Sequence, residues 1–281
     1  MTWQQSFSNI AEFLPEGALA VSQLDQEKSA LLGFKNGKSG PHAARSLMLP
    51  ELTILMDDFN EQTSTASIIE KIEVFNCLHK ATANSRKLTR RHLFDLYGLD
   101  NQICLFRAFE QLWQKSTTAR PVLALQMSLC RDPLLRVSMP LIQQIQPGEI
   151  LIRQQMEEQL EAYNPGGYSK ASKTSFAQNI NGSWTQAGFL QGKAKKMRAI
   201  PEIGIENVAF ALFISYLHGY EGQRSFQTDW MKILSSNADD LYAKAQGASR
   251  HGYLRLKHAG DVVEITFPNW LTEQDKEALN G

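Results

Sequence analysis

Residues 237–267 read NADDLYAKAQGASRHGYLRLKHAGDVVEITF and combine the two signals that decide the fold. The first part predicts a helix over 237–251, because an Asn cap is followed by two aspartates at the positive end of the helix. Gly252 suits the left-handed residue that ends a helix. Two alternating stretches, 253–258 and 262–267, follow and are joined by a short turn that contains glycine. A helix that leads directly into a two-stranded hairpin is typical of a winged helix-turn-helix.

A fainter copy of this pattern lies earlier in the chain. Gly188-Phe-Leu-Gln-Gly-Lys193 parallels Gly252-Tyr-Leu-Arg-Leu-Lys257 in the order glycine, aromatic, leucine, two residues, lysine. The copy also follows an expected helix, 169–187, and precedes a basic stretch, 193–200, that Pro201 ends. The sequence therefore hints at two related winged units.

Helical periodicity dominates the rest of the chain. Apolar residues recur at helical spacing over 66–78 and 103–113. Pro121 and Pro133 suit the first turns of two further helices, where the missing N–H group of proline is not needed. These patterns predict a mainly α protein with winged helix-turn-helix-like units and a small C-terminal β-hairpin.

The strongest break in the helical pattern is Asn164-Pro165-Gly166-Gly167, because proline and paired glycines cannot continue a helix. We expect the chain to divide there into two domains. The first is a helical N-terminal domain, 1–164, with a basic helix at 85–97. The second is a winged-helix-like C-terminal domain, 165–281.

The composition is that of an ordinary globular protein. Hydrophobic residues make up 43% of the 281 residues and charged residues 21%, so the chain can bury a core without disulfide bonds. Cys77, Cys104 and Cys130 stand far apart and form no CxxC pair, so no thiolate zinc site is expected. The first residues lack the pattern of a secretory signal, and no apolar run of about 18 residues occurs. These features predict a cytoplasmic protein that does not cross a membrane.

Positive charge is concentrated in three windows without acidic residues, although 29 Lys and Arg balance 29 Asp and Glu overall. The windows are 74–94, 162–201 and 241–260. In the first window, four cations at spacings of three and four residues form one stripe on the expected helix 85–97. Such side chains neutralise phosphates and release counterions. The candidate DNA-binding residues are Arg86, Lys87, Arg90, Arg91, Lys170, Lys173, Lys193, Lys195, Lys196, Arg198, Arg250, Arg255 and Lys257.

No catalytic signature in the sequence is complete. Residues 33–39, GFKNGKS, resemble a phosphate-binding loop but have three residues between the glycines where four are required. The six histidines show no zinc-ligand spacing. Ser46 and Ser183 lack the context of a catalytic nucleophile, and Cys130 lies in an apolar run that indicates packing. We expect a protein that is not an enzyme and has no cofactor or metal ion, unless a site is assembled from residues far apart in the sequence.

Three segments carry a resemblance to a known family. They are Ser85-Arg-Lys-Leu-Thr-Arg-Arg, Leu129-Cys-Arg-Asp-Pro-Leu-Leu-Arg136, and Ser172-Lys-Thr with Ser183-Trp-Thr-Gln-Ala-Gly-Phe-Leu190 before a basic stretch. Their order resembles the BrxA-like accessory proteins of BREX-type bacterial phage-defence gene clusters. The resemblance implies a mostly helical, non-enzymatic protein with winged-helix-like units that binds double-stranded DNA. It also implies work beside a DNA methyltransferase, a phosphatase-like protein and an ATPase.

The expected function is that of a double-stranded DNA-binding accessory protein of a phage-defence system. We expect mainly phosphate contacts and weak sequence preference, since few base-reading side chains stand out. A protein–protein adaptor is one alternative; it would pair its basic windows with acidic partner surfaces or with its own acidic region, 51–73, and would expose Trp113, Trp184 or Trp230. A transcriptional regulator of its own operon is another, and it would need a dimer that reads two half-sites.

Overall fold

The computed structural model describes residues 26–57, 59–60, 63–234, 237–260 and 262–280, and these residues are mainly helical, as expected. The α-helices are α1 (Gln26–Leu32), α2 (Leu49–Asp57), α3 (Thr65–Glu73), α4 (Ala83–Tyr97), α5 (Cys104–Trp113), α6 (Arg120–Arg131), α7 (Pro133–Arg136), α8 (Met139–Gln144), α9 (Arg153–Tyr163), α10 (Lys170–Gln186), α11 (Ile205–Leu217), α12 (Asp229–Lys232), α13 (Ala238–Arg250) and α14 (Glu273–Asn280). The strands are β1 (Ile150–Leu151), β2 (Leu190–Gln191), β3 (Lys196–Arg198), β4 (Arg255–Ala259) and β5 (Val262–Thr266). Two 3-10 helices lie at Pro41–Ala43 and Gly222–Gln227.

Helices α6 and α11 form the centre of the core. Every residue of α6 from Val122 to Arg131 is buried, and α6 packs against α4, α5 and α11. Pro121 in the first turn followed by a nearly continuous apolar run favours a helix that is buried on all sides. α11 is also buried around its circumference, and it meets α6 where Gln126 Nε2 donates to the carbonyl oxygen of Asn207 at 2.9 Å.

Residues 150–198 fold as a winged helix-turn-helix, which we call the winged unit. β3 pairs antiparallel with both β1 and β2, so the strand order is β1-β3-β2. α9 and α10 pack against each other across the turn 164–169. Residues 192–195, between β2 and β3, form the wing tip. The helix and hairpin predicted here are confirmed, whereas β1 was not expected, because its two residues are too short a run to show strand alternation.

A second helix and hairpin, α13 with β4 and β5, form what we call the C-terminal unit. The Asn237 side chain caps α13 by accepting the N–H of Asp240 at 2.7 Å, and Gly252 has a φ of 76°. β4 and β5 pair antiparallel with Leu256 opposite Ile265. The predicted cap, glycine stop and hairpin are all confirmed, because each depends on neighbouring residues only.

The expected domain division between residues 164 and 165 stays a prediction. α9 and α10 lie on its two sides and pack directly on each other, and α10 also packs against α6 and α7. Buried apolar side chains from both sides of this point belong to one cluster. Within the described ranges, no helix combines the length and the apolar character needed to span a bilayer.

Candidate nucleic-acid interface

Helix α10 has one buried face and one exposed face, and it carries no acidic residue. Ile180 and Trp184 lie in the core, where Trp184 Nε1 donates to Ser138 Oγ at 2.7 Å. On the opposite side, Lys170 and Gln178 are exposed together with small side chains between them. The exposed face of α10 itself therefore carries no acidic side chain, while Glu157 and Glu161 of the adjacent α9 lie against its Thr174 and Lys173.

The wing tip adds lysines beside this face. Lys193 and Lys195 are exposed, and neither forms an ion pair with a described residue. Lys196 is less available, because its Nζ donates to the carbonyl oxygen of Gly192 at 2.7 Å and burial lowers its pKa. A cleft of about 570 Å³ lies between the wing tip and α10, with Gln178 and Lys193 in its lining. The wing tip and α10 thus border a common surface.

Helix α4 offers fewer cations than its sequence predicts. Arg90 Nε lies 2.5 Å from Glu73 Oε1 of α3, so its charge is neutralised within the protein. Arg86 is half-buried, and its Nε is a buried donor without a partner among the described residues. Lys87 and Arg91 are exposed and make no ion pair within the described ranges. Two of the four predicted cations on this helix therefore remain available to a ligand.

The segment 42–46 connects the α4 part of this surface to the α10 part. The 3-10 helix at its start packs against both α4 and α10. Asn179 Nδ2 of α10 donates to the carbonyl oxygen of His42 at 3.0 Å, and Gln186 Nε2 donates to Ser46 Oγ at 2.9 Å. The segment therefore runs alongside α10 and is hydrogen-bonded to it at both ends.

Arg45, in the middle of this segment, is a residue that the sequence prediction missed because it lies outside the three basic windows. It is exposed, and its positive charge acts together with that of Arg91 on the side chain of His92. Exposed cations without an ion pair to a described residue thus extend from α4 through Arg45 and α10 to the wing tip. We call this set the basic face: Arg45, Lys87, Arg91, Lys170, Lys193 and Lys195.

The structure corrects the prediction for Arg198. This side chain is 4% exposed, and its guanidinium group donates to the carbonyl oxygens of Ile142, Phe189 and Ala199. It also lies over the Phe189 ring at 5.2 Å. A guanidinium group enclosed in this way cannot reach a phosphate, so Arg198 is a core residue that holds the winged sheet to its surroundings.

Two other predicted lysines are exposed in part but paired. Lys173 Nζ lies 2.6 Å from Glu161 Oε2, and Lys257 Nζ lies 3.3 Å from Glu264 Oε2. Surface ion pairs contribute only about 0–1 kcal/mol, so a ligand could still displace them. The nearby carboxylates nevertheless cancel the local field that would attract a polyanion.

The third basic window lies on the C-terminal unit. Arg250 and Arg255 are exposed there. β4 packs against α13, and β5 packs against the 3-10 helix Gly222–Gln227. The contacts that join α4 to α10 run through the segment 42–46, which is not part of the C-terminal unit. The basic face therefore combines cations of the first two windows with Arg45.

Three side chains that lie far apart in sequence meet in the interior. His42 Nδ1 lies 2.7 Å from Asp132 Oδ2, and His42 Nε2 lies 2.7 Å from Ser183 Oγ. This order resembles a hydrolase triad, but all three residues are 0% exposed, and a nucleophile must reach its substrate. Ser183 Oγ also donates to the Asn179 carbonyl oxygen at 3.1 Å. The three residues therefore tie segment 42–46, the start of α7 and α10 together.

No metal centre is formed in the part of the chain that the structure describes, since no three His, Cys, Asp or Glu side chains gather there in a suitable group.

The exposed tryptophans expected of a protein–protein adaptor are not observed among the described residues. Trp113, Trp184 and Trp230 are at most 1% exposed, so they pack in the core and cannot anchor a partner. Pairing with the chain's own acidic region does occur, as between Lys80 Nζ and Glu51 Oε1 at 2.8 Å.

Comparison with known proteins adds information on the fold. No family model matches the chain, and no curated protein matches it in sequence. A solved structure described as "Magnesium ion-bound SspB crystal structure" is similar, with a TM-score of 0.54 and 10% sequence identity. The similarity covers 91% of this chain and 98% of that chain. At this identity the chain shares a mainly helical fold with SspB.

Proposed function

We propose that this protein binds double-stranded DNA through the basic face, mainly by phosphate contacts, and that it acts as a non-catalytic accessory protein. One observation carries the proposal: the exposed, acid-free face of α10 is bordered by free cations on two sides. Lys193 lines one cleft with Gln178 of α10, and Arg45 lies in the segment that is hydrogen-bonded to Asn179 and Gln186 of α10. Backbone phosphates flank a DNA groove on both sides in the same manner.

The dimensions of α10 suit this role. Its 17 residues span about 25 Å at about 1.5 Å per residue, and a major groove about 12 Å wide admits one helix. Gln178 is the one large amide on the exposed face, whereas Asn179 is held by the His42 carbonyl oxygen. A single amide reads few base edges, so weak sequence preference follows.

The place of this binding in a cell is proposed on the BrxA-like resemblance alone. That resemblance supports a role in phage defence beside a DNA methyltransferase, a phosphatase-like protein and an ATPase. The regulator alternative differs in stoichiometry, because it needs two copies of the chain on one palindromic duplex. Sedimentation of the complex at saturating protein separates the two arrangements.

The experiment is fluorescence anisotropy of a labelled 30-base-pair duplex at increasing salt concentrations. Six phosphate contacts predict a slope of log affinity against log salt of about −5.4, at about −0.9 per phosphate. Affinity then falls by about 2 × 10³ between about 50 and 200 mM salt. A response that stays flat over this range removes the proposal, and so does equal binding of an unstructured acidic peptide.

A further inference from the structure

A second polar cleft opens between α4 and the loop that follows α1. Its volume is about 460 Å³. The loop contributes Lys35, Ser39 and Gly40 to the lining, and α4 contributes Arg91, His92 and Asp95. The loop belongs to the GFKNGKS stretch that resembles a phosphate-binding loop in sequence but lacks its spacing. The fold thus brings this glycine-rich segment against cationic side chains of α4.

His92 is the most informative residue of the cleft. It is 7% exposed, and its ring makes no hydrogen bond with any described residue. Its ring nitrogens do not belong to the buried side-chain atoms that lack a partner, so they reach the open cleft and are available to a group bound there. Burial, and then the positive charges of Arg45 and Arg91, lower the pKa of His92, while the Asp95 carboxylate acts in the opposite direction. The lining of the cleft contains Lys35, Arg91 and Arg131 against one carboxylate, Asp95, so it favours an anion over a cation.

The charges around the cleft sum to a positive value. Lys35 Nζ lies 2.6 Å from Asp95 Oδ1, so these two charges compensate each other. Arg131 is buried beneath the cleft and donates to the carbonyl oxygens of Gly33, Phe94 and Asp95. Arg91 has no carboxylate partner within the described ranges. An anion in the cleft would therefore meet the uncompensated positive charges of Arg91 and Arg131.

The loop is held in place independently of any ligand. The Tyr163 hydroxyl donates to the Gly37 carbonyl oxygen at 2.7 Å, and the Tyr168 hydroxyl donates to the Lys38 carbonyl oxygen. A Cβ atom at Gly40 would lie 2.1 Å from Asp132 Oδ1, so only glycine fits there. The backbone N–H groups of residues 37–40 make no hydrogen bond with a described residue, and of these residues Ser39 and Gly40 line the cleft. Consecutive free N–H groups in such a loop can bind an anion without reorganisation.

We propose that this cleft is a binding site for a phosphate group, held by Arg91, His92 and the backbone of Ser39 and Gly40, with the positive charge of Arg45 nearby. A planar guanidinium group can donate two parallel N–H groups to two oxygens of a phosphate monoester dianion, and neutral imidazole donates one N–H group. The phosphate could be carried by a free small molecule or by the 5′ end of a DNA strand, and the chemistry of recognition is the same. The site is testable without DNA, so it does not depend on the proposed function.

The first test is calorimetric titration of the full chain with inorganic phosphate. We expect saturable binding to the unaltered protein that weakens by at least about tenfold in Arg91→Ala, because a charge-assisted hydrogen bond is lost. Arg255→Ala, which removes an equally exposed arginine from the C-terminal unit, serves as the matched control and should leave phosphate affinity unchanged. Absence of saturation up to about 10 mM phosphate, or equal losses in both variants, overturns the proposal.

The second test follows His92 directly by NMR of histidine-labelled protein. Sulfate, which keeps its two charges across neutral pH, should raise the pKa of His92, because a bound dianion stabilises imidazolium. His92→Gln should weaken phosphate binding and leave the salt slope on a duplex without 5′ phosphates unchanged. That outcome would show that the phosphate site is distinct from the basic face. If sulfate leaves the pKa of His92 unchanged, the proposal is wrong. Competition by 5′-phosphorylated against 5′-hydroxyl oligonucleotides then identifies the carrier of the phosphate.

Discussion

Replacing Lys193 and Lys195 with alanine removes two cations of the basic face without touching the core. Both side chains are exposed on the wing tip and make no ion pair with a described residue, so the free energy of unfolding should stay within about 0.5 kcal/mol of the original. If each lysine neutralises one phosphate, the salt slope changes from about −5.4 to about −3.6. At about 0.1 M salt the same loss weakens affinity by roughly 60-fold.

The assay is the anisotropy titration of the labelled duplex, repeated at several salt concentrations for each variant. The matched control is Arg250→Ala with Arg255→Ala, which removes two exposed cations from the C-terminal unit and should leave the slope unchanged. The reasoning is refuted if the control variant lowers the salt slope by as much as two phosphate contacts would, while the wing-tip variant leaves the slope unchanged. The duplex would then lie on the third basic window.

Three further predictions concern stability. Arg198→Ala should destabilise the protein by about 2–4 kcal/mol in urea unfolding, since the carbonyl oxygens of Ile142, Phe189 and Ala199 each lose a hydrogen bond from the guanidinium group. The salt slope of the folded protein should stay unchanged. Burial opposes ionisation of Asp132, but the charge of His42 and hydrogen bonds to the carboxylate outweigh it and lower its pKa. The ionised Asp132 therefore contributes its full stabilisation above about pH 3.9, the pKa of aspartate in the unfolded chain, and the contribution is lost as the pH falls below that value. In Asp132→Asn, the free energy of unfolding should accordingly depend less steeply on pH in the acid range. Gly40→Ala should unfold at a lower urea concentration, because its new methyl group meets the Asp132 carboxylate. Gly182→Ala, whose methyl group would make an ordinary 3.6 Å contact with the Ser46 side chain, should stabilise helix α10 by about 1 kcal/mol. Equal urea midpoints for the two variants would contradict this difference in packing.

Most local elements of the chain are predictable from short patterns. The Asn cap of α13, its Gly252 stop and the hairpin that follows lie where the sequence places them. The first turns of α6 and α7 begin at the expected prolines. β1 escapes prediction because a strand of two residues exists only through its pairing with β3. Each success depends on neighbours in the chain, and the failure depends on a partner far from it.

The candidate site is only partly predictable for the same reason. Acid-free windows correctly identify where positive charge is concentrated, but they do not show that Glu73 neutralises Arg90 or that Arg198 is enclosed by carbonyl oxygens. Arg45 carries no signal in the sequence, because its importance comes from lying between α4 and α10. The buried link of His42, Asp132 and Ser183 joins three segments that no spacing rule connects.

The sequence alone determines the mainly helical character of this protein, its two helix-and-hairpin units and the segments in which cations outnumber acids. Capping, helix termination and strand alternation each depend on a few neighbouring residues, so short sequence patterns predict them. Only the tertiary structure decides which cations stay free, which are buried and which face a common ligand. Electrostatic pairing and burial depend on distances of a few ångströms between residues of different segments, and packing sets those distances.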